Sequence, residues 1–438
     1  MTPVRARARV RAVRDLTWAD PLEVAAGLAA RDGALCLLSD PAVRGSRSFV
    51  AADPDLARVE DRVEGGLFDG LNAPGFEAGV VGLAGYDAGA RSATGPRETV
   101  WPDLMLARYP AMLVFDHDEA RLRAVGWGDD DAAAQAGCDL AEDWAVGAKR
   151  SGVLAASALA LVPEASDQAY LDAVAGVVAR IRAGDLFQAN IARAWTTTLN
   201  ADADPFDVFV RLTARGGAAY GAFWRIGDRA LVSNSPELFL TFDAESRRVE
   251  TRPIKGTRAR DADPVRDAAN ADDLVASAKD RAENLMIVDL MRNDLSRVCA
   301  PGSVEVEHLF ALETLPTVHH LVSTVTGTLS PGRGVADLLE ASFPPGSITG
   351  APKHQAMKVI AGHEPPRGAW CGSLFVLDEA SDLAASVLIR TASFEWVAGT
   401  WRVRTQAGAG IVADSDPASE LAETEVKISA LRRALTGV

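Results

Sequence analysis

Residues 253–257 read Pro-Ile-Lys-Gly-Thr, and the amine of Lys255 is the first candidate for chemistry. The chain carries six lysines and 39 arginines, so a lysine set between Ile254 and Gly256 stands out from its background. A guanidinium keeps its proton in a protein. An ammonium desolvated in a pocket drops towards neutrality and becomes a nucleophile or a base. A surface lysine in a turn before a glycine is the competing reading, and the pentapeptide alone does not separate the two.

Asp280 and Glu283 stand three apart in a predicted helix, as do Glu420 and Glu423 in the last one, so each pair projects from a single face. Like charges at that spacing repel. Either these are ordinary solvated faces, or a hard divalent ion with oxygen ligands relieves the repulsion. Mg²⁺ commonly takes one or two protein carboxylates together with water and a substrate oxygen. Lys427, four residues beyond Glu423, shares that face and either pairs with a carboxylate or holds a substrate anion. Two glycine segments are candidate anion cradles. Gly408-Ala409-Gly410 lets the backbone approach a ligand and turn successive N–H groups towards it, and Gly346 to Pro352 feeds a helix N-terminus. Glycine loops also serve simply to turn the chain.

Helices and strands must hold these groups. Tyr170, Val174, Val177, Val178 and Ile181 recur at helical spacing, with Ser166 or Asp167 as N-cap and Gly184 as terminator. A second helix is predicted over 279–298, a third over 352–361 with its proline in the first turn, and a last one from Pro417. Strand-like runs are Ala218 to Arg225, Ala230 to Ser233, Leu238 to Phe242 and Val249 to Arg252, the last feeding the lysine motif. Later runs are Ser373 to Leu377, Ser386 to Ser393 and Trp401 to Thr405. Upstream, 15–32 has helical spacing, Ala34 to Leu38 and Met112 to Phe115 read as strands, and 129–160 reads as a surface helix or connector. Val4 to Arg14 alternates apolar residues with arginine; a transit peptide is the other reading, and a strand with one wet face fits better. Strands and helices without regular alternation give an α+β fold.

The chain has 438 residues and a formal charge of −15, which argues against a nucleic-acid surface, because phosphate binding needs clustered basic residues. No apolar run approaches the roughly 18 residues of a membrane span. Cys36, Cys138, Cys299 and Cys371 are widely spaced, a pattern that suits reduced thiols in a cytoplasm.

In order along the chain come Ser235-Pro236-Glu237, Arg252 to Thr257, Asp280 to Leu290, Gly346 to Lys353, Trp370-Cys371-Gly372, and Gly408 to Ser415 leading into Glu420, Glu423 and Lys427. In these blocks the chain resembles the chorismate-utilising enzymes, and among them the aminodeoxychorismate synthase component I group, related to anthranilate synthase component I. The likeness is dense from about residue 165 to 435. It implies two facing β-sheets flanked by outer helices, with a catalytic region over 165–438. Residues 1–150 would form a strand-rich lobe resembling the N-terminal region of anthranilate synthase component I. The Leu37-Leu38-Ser39-Asp40 segment lacks the glutamate that regulatory tryptophan binding would require.

The resemblance also implies roles. Glu283 and Glu423 would ligate Mg²⁺ most directly, with Asp280 and Glu420 farther out, and the ion would bridge to the ring carboxylate of chorismate. Thr257, Thr349, Gly350, Trp370, Arg390, Gly408, Ala409, Gly410 and Lys427 would bind substrate. Gln188 stands where the water-adding relatives carry a lysine base, which argues against hydration chemistry. Lys255 would attack ring C2 as the C4 hydroxyl leaves, with Glu237 as general acid and His320 near the ring, either in catalysis or only as a hydrogen-bond donor. Ammonia, supplied by a separate glutaminase subunit, would then take C4, giving 4-amino-4-deoxychorismate for para-aminobenzoate and folate. An anthranilate-forming enzyme, in which the lysine position is usually alanine, is the near alternative. A non-catalytic chorismate-binding subunit is the alternative of another class.

Overall fold

The computed structural model describes residues 9–42, 45–99, 101–147, 156–214, 216–316 and 318–437. Two antiparallel sheets dominate, one of 12 strands and one of 10, with ten α-helices among the described residues. The first sheet places the Gln188–Thr198 strand beside Thr400–Ile411, followed outwards by Thr391–Val397, Arg229–Ser235 and Tyr220–Ile226. The second begins at Ile254–Ala259 and runs through Val318–Thr328, Arg248–Thr251, Leu238–Phe242, Leu383–Val387 and Ser373–Leu377.

The strands of the first 128 residues extend both sheets. Leu35–Leu38 pairs with Tyr220–Ile226 in the first, and Val80–Ala84 pairs with Ser373–Leu377 in the second. One apolar cluster joins the two sheets, with Leu35, Phe223 and Trp224 from the first packed with Val81, Leu83 and Leu374 from the second. At its centre Trp224 Nε1 donates to Tyr109 Oη at 2.9 Å, and that hydroxyl donates to the Gly33 carbonyl at 2.7 Å. Burial of this kind contributes about 25 cal/mol per Å² of apolar surface, which is what holds the N-terminal strands to the rest.

The first of the outer helices has the predicted start and stop, and the last begins at the predicted Pro417. Ser166 caps Asp167–Arg182 by accepting from the Ala169 N–H, a contact worth about 1 kcal/mol, and Gly184 follows the helix with φ +87°. Pro417–Thr436 is capped by Asp416 and ends at Gly437 with φ +80°. Ala278–Ser296, capped by Ser277, packs on Val318–Thr328 and Ile254–Ala259.

Several expectations are corrected. The helix expected over 15–32 is only Pro21–Leu28, because Leu16 closes the Val10–Leu16 strand. That strand confirms the alternation from Val10 onwards; residues 4–8 lie outside the described residues. Pro352 is the N-cap of Lys353–His363 and not part of its first turn. The helix Pro264–Ala276 was not anticipated, since only Leu274 of it is buried and it has no apolar stripe. Ser386 to Ser393 is not one strand. Leu383–Val387 belongs to the second sheet and Thr391–Val397 to the first, and the chain crosses between them at residues 388–390.

Candidate active site

Two crossings between the sheets deliver charged groups to one place. Between Arg229–Ser235 in the first sheet and Leu238–Phe242 in the second lie Pro236 and Glu237. The return crossing carries Arg390, in left-handed backbone at φ +51°. Both line a cavity of about 480 Å³, a size suited to a small ring carrying several polar groups.

Lys255 reaches the same cavity through a β-bulge. Ile254 pairs with Val322 and Thr257 with His320, so three steps on the lysine strand oppose two on its partner. Gly256, at φ +84°, absorbs the extra residue. A Cβ on Gly256 would stand 2.8 Å from Leu274 Cδ1 and 2.9 Å from Asp280 Cβ, so the bulge is pressed against both neighbouring helices. The half-buried Lys255 makes no hydrogen bond or ion pair to the described residues. Burial lowers its pKa below the ordinary lysine value, opposed by the charges of Glu283 and Glu237. Glu237, 8% exposed, is raised by burial and eased back by a hydrogen bond from Ser347 and by the charges of Lys255 and Lys427. Burial thus moves the amine and the carboxyl towards their neutral forms, and their mutual attraction opposes it.

The acidic pairs converge on the opposite side. Asp280 and Glu283 from Ala278–Ser296, and Glu420 and Glu423 from Pro417–Thr436, all line the cavity. Asp280 pairs with Arg258 at 3.2 Å, Glu283 with Lys279 at 3.9 Å and Glu423 with Lys427 at 2.6 Å, while Glu420 accepts from Ser415 Oγ at 2.7 Å. Burial raises Glu283 and Glu420, and the neighbouring carboxylates Asp280 and Glu420 push Glu283 further up. Among the described residues no three His, Cys, Asp or Glu side chains gather as a ready-made metal cluster. Lys427 Nζ also donates to the Gly408 carbonyl at 2.8 Å, so the ammonium is paired with a carboxylate and a backbone acceptor at the edge of the cavity it lines. His320 Nδ1 lies 2.9 Å from Thr257 Oγ1, and burial followed by the charge of Arg390 lowers its pKa, keeping the ring neutral.

Thr257, Arg390, Trp370, Gly408, Gly410 and Lys427 therefore meet around one space, and four other expected residues do not line it. Gln188, Thr349, Gly350 and Ala409 are buried behind the wall. Gln188 lies against Gly410, where an added Cβ would stand 3.2 Å from the glutamine Cδ. Thr349 donates to the Pro345 carbonyl, and Gly350 pairs with Ala189. Ala409 alternates to the other face of its strand and packs with Ile191 and Val177.

Neither expected anion cradle takes its expected form. Gly408-Ala409-Gly410 is extended strand paired to Gln188–Thr198, and its first glycine makes room for Ile191 O, which a Cβ would approach to 2.7 Å. The N-terminus of Lys353–His363 opens on a different cavity, where Lys353 Nζ donates to Asp294 at 2.6 Å and to the Ser342 carbonyl at 2.7 Å. Sequence reasoning missed Asn190, Gln406, Lys279 and Arg258, all on the wall, and reached Ser347 only as part of the Gly346 to Pro352 segment. The period of two along a strand could have flagged Asn190 from Gln188 and Gln406 from Gly408.

Residues 47–433 match the family of chorismate binding enzymes. The chain belongs to that family. As a chorismate-binding enzyme it is 40% identical to aminodeoxychorismate synthase component 1 of Klebsiella aerogenes over 361 residues, which covers 81% of this chain and 76% of that one. Anthranilate synthase component 1 of Streptomyces coelicolor is 38% identical over 389 residues, covering 82% and 74%. Among solved structures, anthranilate synthase component I from Streptococcus pneumoniae superposes with TM-score 0.77 at 26% identity, covering 89% of this chain and 93% of that one. The isochorismate synthase MenF of Escherichia coli shares the fold, with TM-score 0.74 at 18% identity over 98% and 95% of the two chains.

Proposed function

We propose that this chorismate-binding enzyme forms 4-amino-4-deoxychorismate from chorismate and ammonia, the reaction of an aminodeoxychorismate synthase component I. The observation that carries the reading is Lys255, aimed by the Gly256 bulge into a cavity lined by Glu237, Glu283 and Arg390. The neutral amine of Lys255 attacks ring C2, the two ring double bonds shift, and the C4–O bond breaks. Glu237 gives its proton to the departing hydroxyl, which leaves as water, and the resulting carboxylate takes the proton released by the bound lysine nitrogen. Ammonia then bonds to C4, the double bonds shift back, and the C2–N bond to Lys255 breaks; Glu237 protonates the departing lysine nitrogen and takes a proton in turn from the new C4 nitrogen, restoring the free amine and the acid. Arg390 is the carboxylate receptor, since no carboxylate among the described residues pairs with its guanidinium and burial alone perturbs it.

Four carboxylates line one side of the cavity, and two of them would be enough for a hard divalent cation that keeps water and a substrate oxygen. Glu283 and Glu420 carry raised pKa values partly because of neighbouring carboxylates, and a cation would reverse that repulsion. Glu283 and Glu423 would hold Mg²⁺, with Asp280 and Glu420 farther out. When bound, the ion would neutralise the ring carboxylate and make C2 more electrophilic. Glutamine-derived ammonia would come from a separate glutaminase, and the product would feed para-aminobenzoate and folate synthesis.

The test is product analysis. Purified protein with chorismate, Mg²⁺ and an ammonium salt should yield 4-amino-4-deoxychorismate. Without ammonia, intact mass should show a chorismate adduct that is lost in Lys255→Ala. Anthranilate as the sole product would overturn the reading and favour the anthranilate branch, whose members are nearly as similar in sequence.

A further inference from the structure

Arg367 lines no part of the cavity, and its side chain is fully buried. It is nevertheless joined to four residues that do line it. Nη1 donates to the Ile348 carbonyl at 3.0 Å, and Nη2 donates to the Asn190 carbonyl at 2.7 Å. The guanidinium carbon lies 5.1 Å from the centroid of the Trp370 ring, and the backbone carbonyl of Arg367 accepts from Gln406 Nε2 at 2.8 Å. These four wall residues come from two strands, a short 3-10 turn and a loop. Glu364 neutralises the charge through two bonds, of 2.8 and 3.1 Å, and Tyr86 stacks on the guanidinium with its centroid 4.5 Å away.

A buried cation is costly to desolvate, and here it satisfies two backbone carbonyls, one carboxylate and two aromatic faces at once. Only a planar fork can do this. Lysine offers a compact head with no plane to stack and cannot reach the same acceptors together.

We propose that Arg367 is a positioning residue for the substrate, fixing the wall of Asn190, Ile348, Trp370 and Gln406 at the separation from Lys255 that the ring requires. The inference rests on reading this cavity as the chorismate site. It acts on substrate binding more than on the reacting groups, because Lys255 and Glu283 stand on elements that Arg367 does not touch.

The experiment compares Arg367→Lys, which keeps the charge beside Glu364, with the parent protein and with Leu113→Val, a substitution in the distant core. Chorismate consumption is followed with saturating Mg²⁺ and ammonium, and melting temperature is recorded for each. In Arg367→Lys the KM for chorismate should rise about tenfold while kcat falls by less than about threefold, with the KM of Leu113→Val unchanged. A KM within about twofold of the parent overturns the assignment, as does an equal rise in the control. If Arg367→Lys does not fold, Tyr86→Leu takes away the stack from a residue that does not line the cavity and should raise KM about fivefold; a KM within about twofold again overturns it. A parent protein that consumes no chorismate refutes the functional reading instead, so the two failures are distinguishable.

Discussion

At the scale of single residues, two groups share one pocket and are perturbed in opposite senses by the same cause. Burial lowers Lys255 from the ordinary lysine value of 10.5 and raises Glu237 from 4.5. The proposed chemistry needs the amine deprotonated, a fraction that grows with pH, and the carboxyl protonated, a fraction that shrinks with pH. The rate of adduct formation without ammonia should therefore be bell-shaped in pH. Glu237→Gln cannot lose a proton, so its falling limb should vanish, with the maximum lowered about 10²- to 10⁴-fold by the lost acid. A falling limb that persists in Glu237→Gln would assign the acid to another group. Lys255 was legible from sequence because lysine is rare in this arginine-rich chain, whereas its pKa was not, because desolvation is a property of the surroundings.

At the scale of elements, the lysine strand and the acidic helix Ala278–Ser296 meet at one glycine. Gly256 has φ +84°, and the space a Cβ would need is taken by Leu274 and Asp280. Gly256→Ala should therefore strain the backbone by roughly 1–2 kcal/mol and push the strand off the helix. Activity should fall by more than about tenfold, since a displacement of about 1 Å costs two orders of magnitude in a positioned reaction. Full activity with only a lower melting temperature would show that the bulge does not set the geometry. The helices read from the sequence were legible because their boundary signals are local: Ser166, Gly184 and Pro417 act within a few residues. The break at residues 388–390 was not, because Val387-Leu388-Ile389 reads as uninterrupted strand, and it is the pairing on either side that divides it between sheets.

At the scale of the whole molecule, an apolar cluster joins the two sheets, and the candidate cavity lies where the chain passes between them. All four cysteines are buried free thiols, and among the described residues no helix is long and apolar enough to cross a membrane. A reaction that takes ammonia from a partner has a simple signature. The isolated chain should turn over chorismate with ammonium salts, faster as pH raises the free ammonia, and should not do so with glutamine. Turnover with glutamine alone, in a preparation free of other proteins, would remove the need for a glutaminase subunit.

The sequence by itself determined the chemistry available here: one uncommon amine, two carboxylate pairs at helical spacing, and an α+β pattern of strands and capped helices. Those are local properties, written within a turn of helix or a few residues of strand. Only the tertiary structure decided which of these residues share a space. Ala409 faces away from the cavity that Gly408 and Gly410 line, because strand neighbours point to opposite faces. Lys353 turns to Asp294 on another side of the acidic helix, while Arg367, unremarkable in sequence, ties together four segments of the wall. Such contacts join residues up to 177 positions apart, and no periodicity along the chain encodes which distant partners will meet.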